Sequence, residues 1–317
     1  MTGTTFDHLR RAGVRGLAER SPVAMVMAGV VLFSTGPVMV GAASVSGPVF
    51  SFWRLWIGVA VLAVATATHG RLVGHWPSPT GWRRALRCGA LFGLSQLAFM
   101  TAVRLTSVVD VTLMNTLAPV VVAALAVPLF GERPGMAFRL WSGVAISGAA
   151  VVALAGASGP GGDPVGMVLA ALNVIGYAIY FVWSKQAREH LDTVPFLFGA
   201  SVGAAVTVSA FTLVTGEPVG TIGGHDLLLC ATVALLPGVL GHFAVTWPLR
   251  QVPANLPPVL MLAIPVLSGA MAWVLLGQGV SAVQLVGGAL TIAGVAGAVS
   301  STPDPLPAAS LVTAEET

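Results

Sequence analysis

Charge is scarce in this 317-residue chain: Asp, Glu, Lys and Arg together make up 9% of it, against roughly 25% in an average soluble domain. A water-soluble fold of this length needs far more ionisable surface, and a disordered chain needs less apolar content and more net charge. Neither class fits a chain that is 56% hydrophobic with a mean hydropathy of +0.88. Cysteine is nearly absent as well. Cys88 and Cys230 cannot build a disulfide framework and neither has metal or redox spacing, so both read as small apolar packing residues. Catalytic signatures are missing too: there is no HExxH, no GxSxG, no phosphate loop, and no acid-base pair at helical spacing within the apolar runs. No catalytic residue, metal or cofactor is therefore expected. The formal charge of +3 arises from short basic clusters between apolar runs, which excludes nucleic acid as the implied partner. The remaining class is a polytopic membrane protein whose partner is the lipid bilayer.

Apolar stretches of spanning length recur at 22–42, 49–68, 85–103, 108–130, 140–157, 164–184, 195–214, 227–247, 255–276 and 283–300. The first is longer than the apolar core of a signal peptide and reads as a retained span. Basic residues set the orientation. With the N-terminus inside, the inner segments hold Arg10, Arg11, Arg15, Arg20, Arg71, Arg83, Arg84, Arg87, Arg133, Arg139, Lys185, Arg188 and Arg250, whereas the outer loops hold Arg104 alone. Both termini are expected in the cytoplasm. Arginine outnumbers lysine fourteen to one, a usage that suggests a GC-rich bacterial genome and hence a bacterial cytoplasmic membrane.

The two halves of the chain resemble each other. At an offset of 142, Pro22, Val23, Met25, Val26 and Ala28 match Pro164, Val165, Met167, Val168 and Ala170. At 146, Leu94, Arg104, Pro119, Val120, Leu129, Gly131 and Gly148 match Leu240, Arg250, Pro265, Val266, Leu275, Gly277 and Gly294. Five spans per repeat is an odd number, so the second copy should lie upside-down relative to the first, the arrangement of alternating-access carriers with a midplane site. The fold expected is all-α, with ten transmembrane helices as two inverted five-helix repeats. The division is a tail at 1–21, a first repeat at 22–157, a linker at 158–163, a second repeat at 164–300 and a tail at 301–317.

Leu117-Ala118-Pro119-Val120 through Phe130-Gly131-Glu132-Arg133-Pro134, with Gly143 and Gly148, resembles a signature of the EamA-type members of the drug/metabolite transporter superfamily. A second copy resembles Ile264-Pro265-Val266 through Leu276-Gly277-Gln278, then Gln284, Gly287, Gly288 and Gly294, while Pro48, Phe52 and Arg54 resemble the opening of the family's second span. Gln278 departs from the family, which usually carries Glu there. The resemblance covers 22–300 and implies a secondary transporter that moves small metabolites or amino-acid-like compounds, usually outward, without a cofactor.

Pro119 and Pro265 fall near the middles of their spans and free the carbonyls of Asn115 and Met261, which marks either a packing kink or the edge of a cavity. Asn173, Tyr177 and Tyr180 share one helical face, a polar-aromatic stripe suited to lining a cavity. Gln96 and His242 occupy matching places in the third and eighth spans; His242 is either a proton carrier or a packing residue. Arg54, Arg104 and Asp110 should lie toward the outer face, with Asp110 pairing one of the arginines as a gate or clamp. The first span, with Ser34, Thr35 and Met39, lacks the carboxylate carried there by small multidrug exporters of the superfamily, which favours a neutral or zwitterionic small-molecule substrate. Glycines such as Gly199 and Gly203 read as scaffold and are compatible with a homodimer. A non-transporting scaffold or sensor is the competing class, and a membrane-embedded enzyme stands behind it.

Overall fold

The computed structural model describes residues 22–105, 114–131, 134–155, 163–276 and 281–301, and these are helical with short connections. The first half of the chain contributes α1 (Pro22–Gly41), α2 (Gly47–Val73), α3 (Pro79–Leu105), α4 (Ala118–Phe130) and α5 (Met136–Ala155). The second begins with α6 (Pro164–Arg188) and α7 (Thr193–Thr215). Next comes one run from Gly224 to Arg250, made of α8 (Gly224–Val233), a π-helical segment (Ala234–Gly241), α9 (His242–Thr246) and a 3₁₀ turn (Trp247–Arg250). It is completed by α10 (Leu256–Met261), α11 (Ile264–Leu276) and α12 (Ala282–Ser300). Among the described residues, six helical segments are long and apolar enough to cross a membrane, and four shorter apolar helices accompany them.

Helix ends follow local chemistry. Ser46 caps α2 by accepting from the Val49 N–H, Pro48 sits in its first turn, and Gly74 at φ 80° terminates it. That left-handed backbone favours glycine because a Cβ there crowds the following carbonyl. Asp163 accepts from the N–H groups of Val165 and Gly166 at the start of α6, and Ser281 with Gln284 forms a capping box on α12. Several helices outrun the apolar stretches read from sequence. α3 begins at Pro79 and carries Arg83, Arg84 and Arg87 within its first turns, since long basic side chains can remain helical while their charges reach water.

Close contact between helices depends on small residues, because lipid offers no hydrophobic drive to bring them together. A Cβ on Gly89 or Gly203 would collide with backbone across the α3–α7 contact, at Ala200 and Leu86 respectively, and one on Gly199 would come within 2.6 Å of the Ala85 Cβ. Gly148, Gly287, Gly294 and Gly297 do the same for α5 against α12. The Gly199/Gly203 face is thus occupied within the chain. The remaining principal contacts are α3 with α6, α2 with α7, α4 with α6, α1 with α9, α11 and the π segment, and α2 with α8 and the π segment. Large apolar residues such as Leu72, Leu213 and Val214 face outward, as a lipid-facing surface requires.

At both matched prolines the chain breaks and restarts; it does not bend through a continuous kinked helix. Thr116-Leu117 and Leu262-Ala263 are turns, after which α4 and α11 begin, each 13 residues long with its proline in the first turn. A proline at that position loses nothing, because its missing N–H would have had no helical partner. Short bonds of 3₁₀ spacing, Leu117 N–H to Met114 O at 3.0 Å and Ala263 N–H to Leu260 O at 3.1 Å, carry the backbone across the breaks.

Candidate functional site

The two breaks meet at a cavity of about 390 Å³, within the size range of small-molecule sites. α3 lines it with Phe92, Ser95, Gln96 and Phe99, the first break with Asn115, Thr116 and Ala118, α6 with Asn173 and Tyr177, and the second break with Met261, Leu262, Ile264 and Pro265. Asn173 is 8% exposed, and its Nδ2 donates to Asn115 Oδ1 at 2.9 Å. One turn further along α6, the Tyr177 hydroxyl donates to Met261 Sδ at 3.6 Å. The α6 stripe therefore grips the residue four places before each broken-helix proline. Gln96 Nε2 donates to Ser51 Oγ of α2 at 3.3 Å, and Gly176 lets α6 pass close to Ser95. The lining offers three amides and three hydroxyls beside aromatic and thioether surface, with no charged group.

Behind this cavity lies an aromatic partition. Phe92 sits 4.9 Å from Tyr180 and 5.3 Å from His242 between ring centroids. Phe33 meets His242 edge-on at 4.9 Å, and Tyr177 meets Phe181 at 5.3 Å. Both tyrosines of the chain belong to this cluster. On its far side a second cavity of about 30 Å³ is bounded by Arg54, Phe92, Tyr180, Ser201, Gly238 and His242, among others. Phe92 is shared by both cavities.

The residues singled out from sequence thus divide into groups. Gln96, Asn115, Asn173, Tyr177 and Pro265 line the larger cavity. Tyr180 and His242 belong to the partition and face the smaller one. Pro119 is buried one residue from the larger lining. Arg54 borders the smaller cavity. Asp110, expected to pair with Arg54 or Arg104, and the Arg104 side chain lie outside the described residues, as do Glu132, Arg133 and Gln278. His242 is held between the rings of Phe33 and Phe92.

Two sets of contacts had no signal strong enough to be read from sequence. At one end of the bundle the loop between α1 and α2, with the start of α2, is tied to the stretch between α7 and α8 and the first turn of α8. There Ser44 donates its N–H and hydroxyl to Asp226 at 2.9 and 2.5 Å, Ser46 donates to Glu217 at 2.7 Å, and the Trp53 indole donates to the Val219 carbonyl at 3.1 Å. At the other end Arg250 donates to the carbonyls of Arg188 and Leu191, Arg188 also reaches Leu191, and Lys185 donates to the Val252 carbonyl at 3.0 Å. His69 meets Asp192 nearby at 3.1 Å. Loop serines and carbonyls carry no periodic pattern, so only the fold brings them together. The π-helical segment was also unforeseen, although Pro237 in the eighth span was its available signal: it lacks an N–H, and single π turns recur at functional sites.

Comparison with known proteins agrees with this architecture. The model of the EamA-like transporter family matches the chain twice, over residues 20–154 and 164–300. A protein of Archaeoglobus fulgidus named an uncharacterized transporter is 27% identical over 277 residues, covering 86% of this chain and 93% of its own. The Bacillus subtilis uncharacterized transporter YdfC is 26% identical over 185 residues, 58% of this chain and 60% of that protein. A solved crystal structure at 23% identity superposes with a TM-score of 0.76 over 88% of this chain and 96% of its own, a likeness of fold. The protein is a multi-pass membrane protein, and with both halves matched by the same family model, the chain belongs to the EamA-like transporter family.

Proposed function

We propose that the protein is a secondary transporter that exports small metabolites or amino-acid-like compounds across the cytoplasmic membrane by alternating access. Ten spans form two inverted five-helix repeats, with both termini cytoplasmic, and the halves rock about the cavity between the two broken helices. One observation carries this reading: the principal helix contacts map onto one another when each span is exchanged with the one five places later. The pairing of α3 with α6 maps onto that of the Gly224–Arg250 run with α1, α4 with α6 onto α11 with α1, and α3 with α7 onto the Gly224–Arg250 run with α2. The pairs α5–α12 and α2–α7 map onto themselves. A pseudo-two-fold relation between the halves has this signature; five spans per half would set its axis in the membrane plane, which supports two exchangeable, oppositely facing states.

The lining supports the cargo class. Gln96, Asn115 and Asn173 can donate and accept hydrogen bonds, while Phe99, Tyr177 and Met261 offer apolar surface to a carbon skeleton. The latches at the two ends of the bundle are the contacts that would break in turn as one face opens and the other closes. The test is flux. Proteoliposomes loaded with a defined metabolite mixture should release a subset of it faster than protein-free vesicles, and the Asn173→Leu variant should release less. Vesicles that release every compound at the protein-free rate would favour a scaffold or sensor.

A further inference from the structure

We propose that Arg54 is the anion-binding subsite of the transport path and that the cargo carries a carboxylate. This rests on the transporter reading and names the substrate class within it. Arg54 lies in the first third of α2, a segment of spanning length, and its guanidinium cannot shed its charge. A cation at such depth needs an anionic partner, and intramembrane ionisable groups mark substrate and ion pathways. Among the described residues Arg54 donates no hydrogen bond and forms no ion pair. The described carboxylates at its own end of the bundle, Asp226, Glu217 and Asp163, are engaged by Ser44, by Ser46 and by the N–H groups of Val165 and Gly166 respectively. The groups that surround it are Tyr180, Ser201 and His242 with apolar neighbours such as Leu197 and Val239, none of them anionic.

The cavity beside Arg54 has the right scale. Its volume of about 30 Å³ exceeds the 10–15 Å³ or so that a single water needs, which leaves room for a group of carboxylate size. Phe92 alone is common to the linings of this cavity and the larger one, so it is the ring whose rotation would join them. The joined space would hold a compact organic acid, with its skeleton among Phe99, Tyr177 and Met261 and its carboxylate on the Arg54 fork, a charge-assisted and bidentate contact. An arginine with a resident counter-ion would not need this second cavity. Asp110 is the one carboxylate expected from sequence to meet Arg54, and its part is tested directly below.

The experiment uses full-length protein in lipid nanodiscs, with 3-phenylpropionate and its uncharged amide as probes of equal shape, read by the thermal unfolding midpoint. The wild type should be stabilised by the acid and not by the amide. Arg54→Gln should weaken association with the acid by roughly tenfold or more, Arg54→Lys should retain part of it, and Asp110→Asn should leave it intact. Should Arg54→Gln fail to fold, Ser201→Asp, which supplies a fixed anion to the same cavity, should give folded protein that no longer responds to the acid. Equal response to acid and amide, no response to the acid, full response in Arg54→Gln, or loss in Asp110→Asn equal to that in Arg54→Gln would overturn the proposal. Flux separates it from the reading beneath it. Arg54-dependent binding without protein-dependent movement of labelled 3-phenylpropionate would sink transport and leave the anion site, whereas metabolite flux without Arg54-dependent binding would do the reverse.

Discussion

Replacing Phe92 by Ala should join the two cavities and make the inner one reachable. Phe92 contacts Tyr180 and His242 at centroid distances of 4.9 and 5.3 Å, and each such ring pair is worth about 0.5–1.5 kcal/mol. Removing both lowers the cost of opening the partition by about 1–3 kcal/mol, or roughly 5- to 150-fold in the open population at about 1.4 kcal/mol per tenfold. Ser201 lines the inner cavity and does not line the larger one, so a cysteine placed there reports the passage. In a Cys88→Ala, Cys230→Ala background, Ser201→Cys should react with a small membrane-impermeant thiol reagent at least fivefold faster once Phe92→Ala is added. Full burial of a Phe side chain is worth about 3–5 kcal/mol on truncation to Ala. Phe92 is only partly buried and already borders space on two sides, so the variant should remain folded. Labelling rates that agree within twofold in folded protein would show that Phe92 is not the barrier.

Asn115 and Asn173 should couple: a double-mutant cycle with Leu at each position, read by thermal stability, should return about 0.5–1.5 kcal/mol for their 2.9 Å amide contact, and a value near zero would mean the bond is not formed. Gly203→Val should lose folded protein outright because a Cβ there strikes the Leu86 carbonyl of α3, whereas Gly143→Ala, with nothing within 4 Å, should be neutral or stabilising by up to about 1 kcal/mol; equal behaviour of the two would contradict the α3–α7 contact. His242→Phe should keep most of the flux and its response to an imposed pH gradient, since the ring sits edge-on to Phe33 and Phe92; loss of the gradient response alone would restore His242 as a proton carrier.

Long apolar runs, a local property, revealed the all-helical membrane character, and the described helices fall on the stretches read from sequence. The breaks at Pro119 and Pro265 were visible for a similar reason: an absent N–H is a fact about one residue. Their form was less legible, because whether a helix bends or restarts depends on what receives the freed groups, here the turns at Thr116 and Leu262. The stripe Asn173, Tyr177 and Tyr180 was read as one face, yet only the first two border the larger cavity. Tyr180, three residues past Tyr177, is rotated around α6 so that it packs on Phe92 at 4.9 Å and borders the smaller cavity. The latches were invisible for a different reason. They join serines and arginines to carboxylates and carbonyls up to 182 residues away, a separation at which no sequence period survives. Asp110 was expected beside Arg54 or Arg104 on general grounds of charge, and only the arrangement of α2, α7 and the π-helical segment reveals the cavity that Arg54 borders.

The account stands on a cavity between two oppositely oriented repeats that opens to each side in turn. Sided thiol labelling tests this most directly, with Tyr177→Cys in the cysteine-free background reconstituted in one known orientation. The expected result is reaction from either side of the membrane, with a cross-link between Ser44→Cys and Asp226→Cys abolishing reaction from that side while leaving the other. A thiol at Tyr177 that reacts from neither side, or from one side only whatever the cross-link, would contradict it.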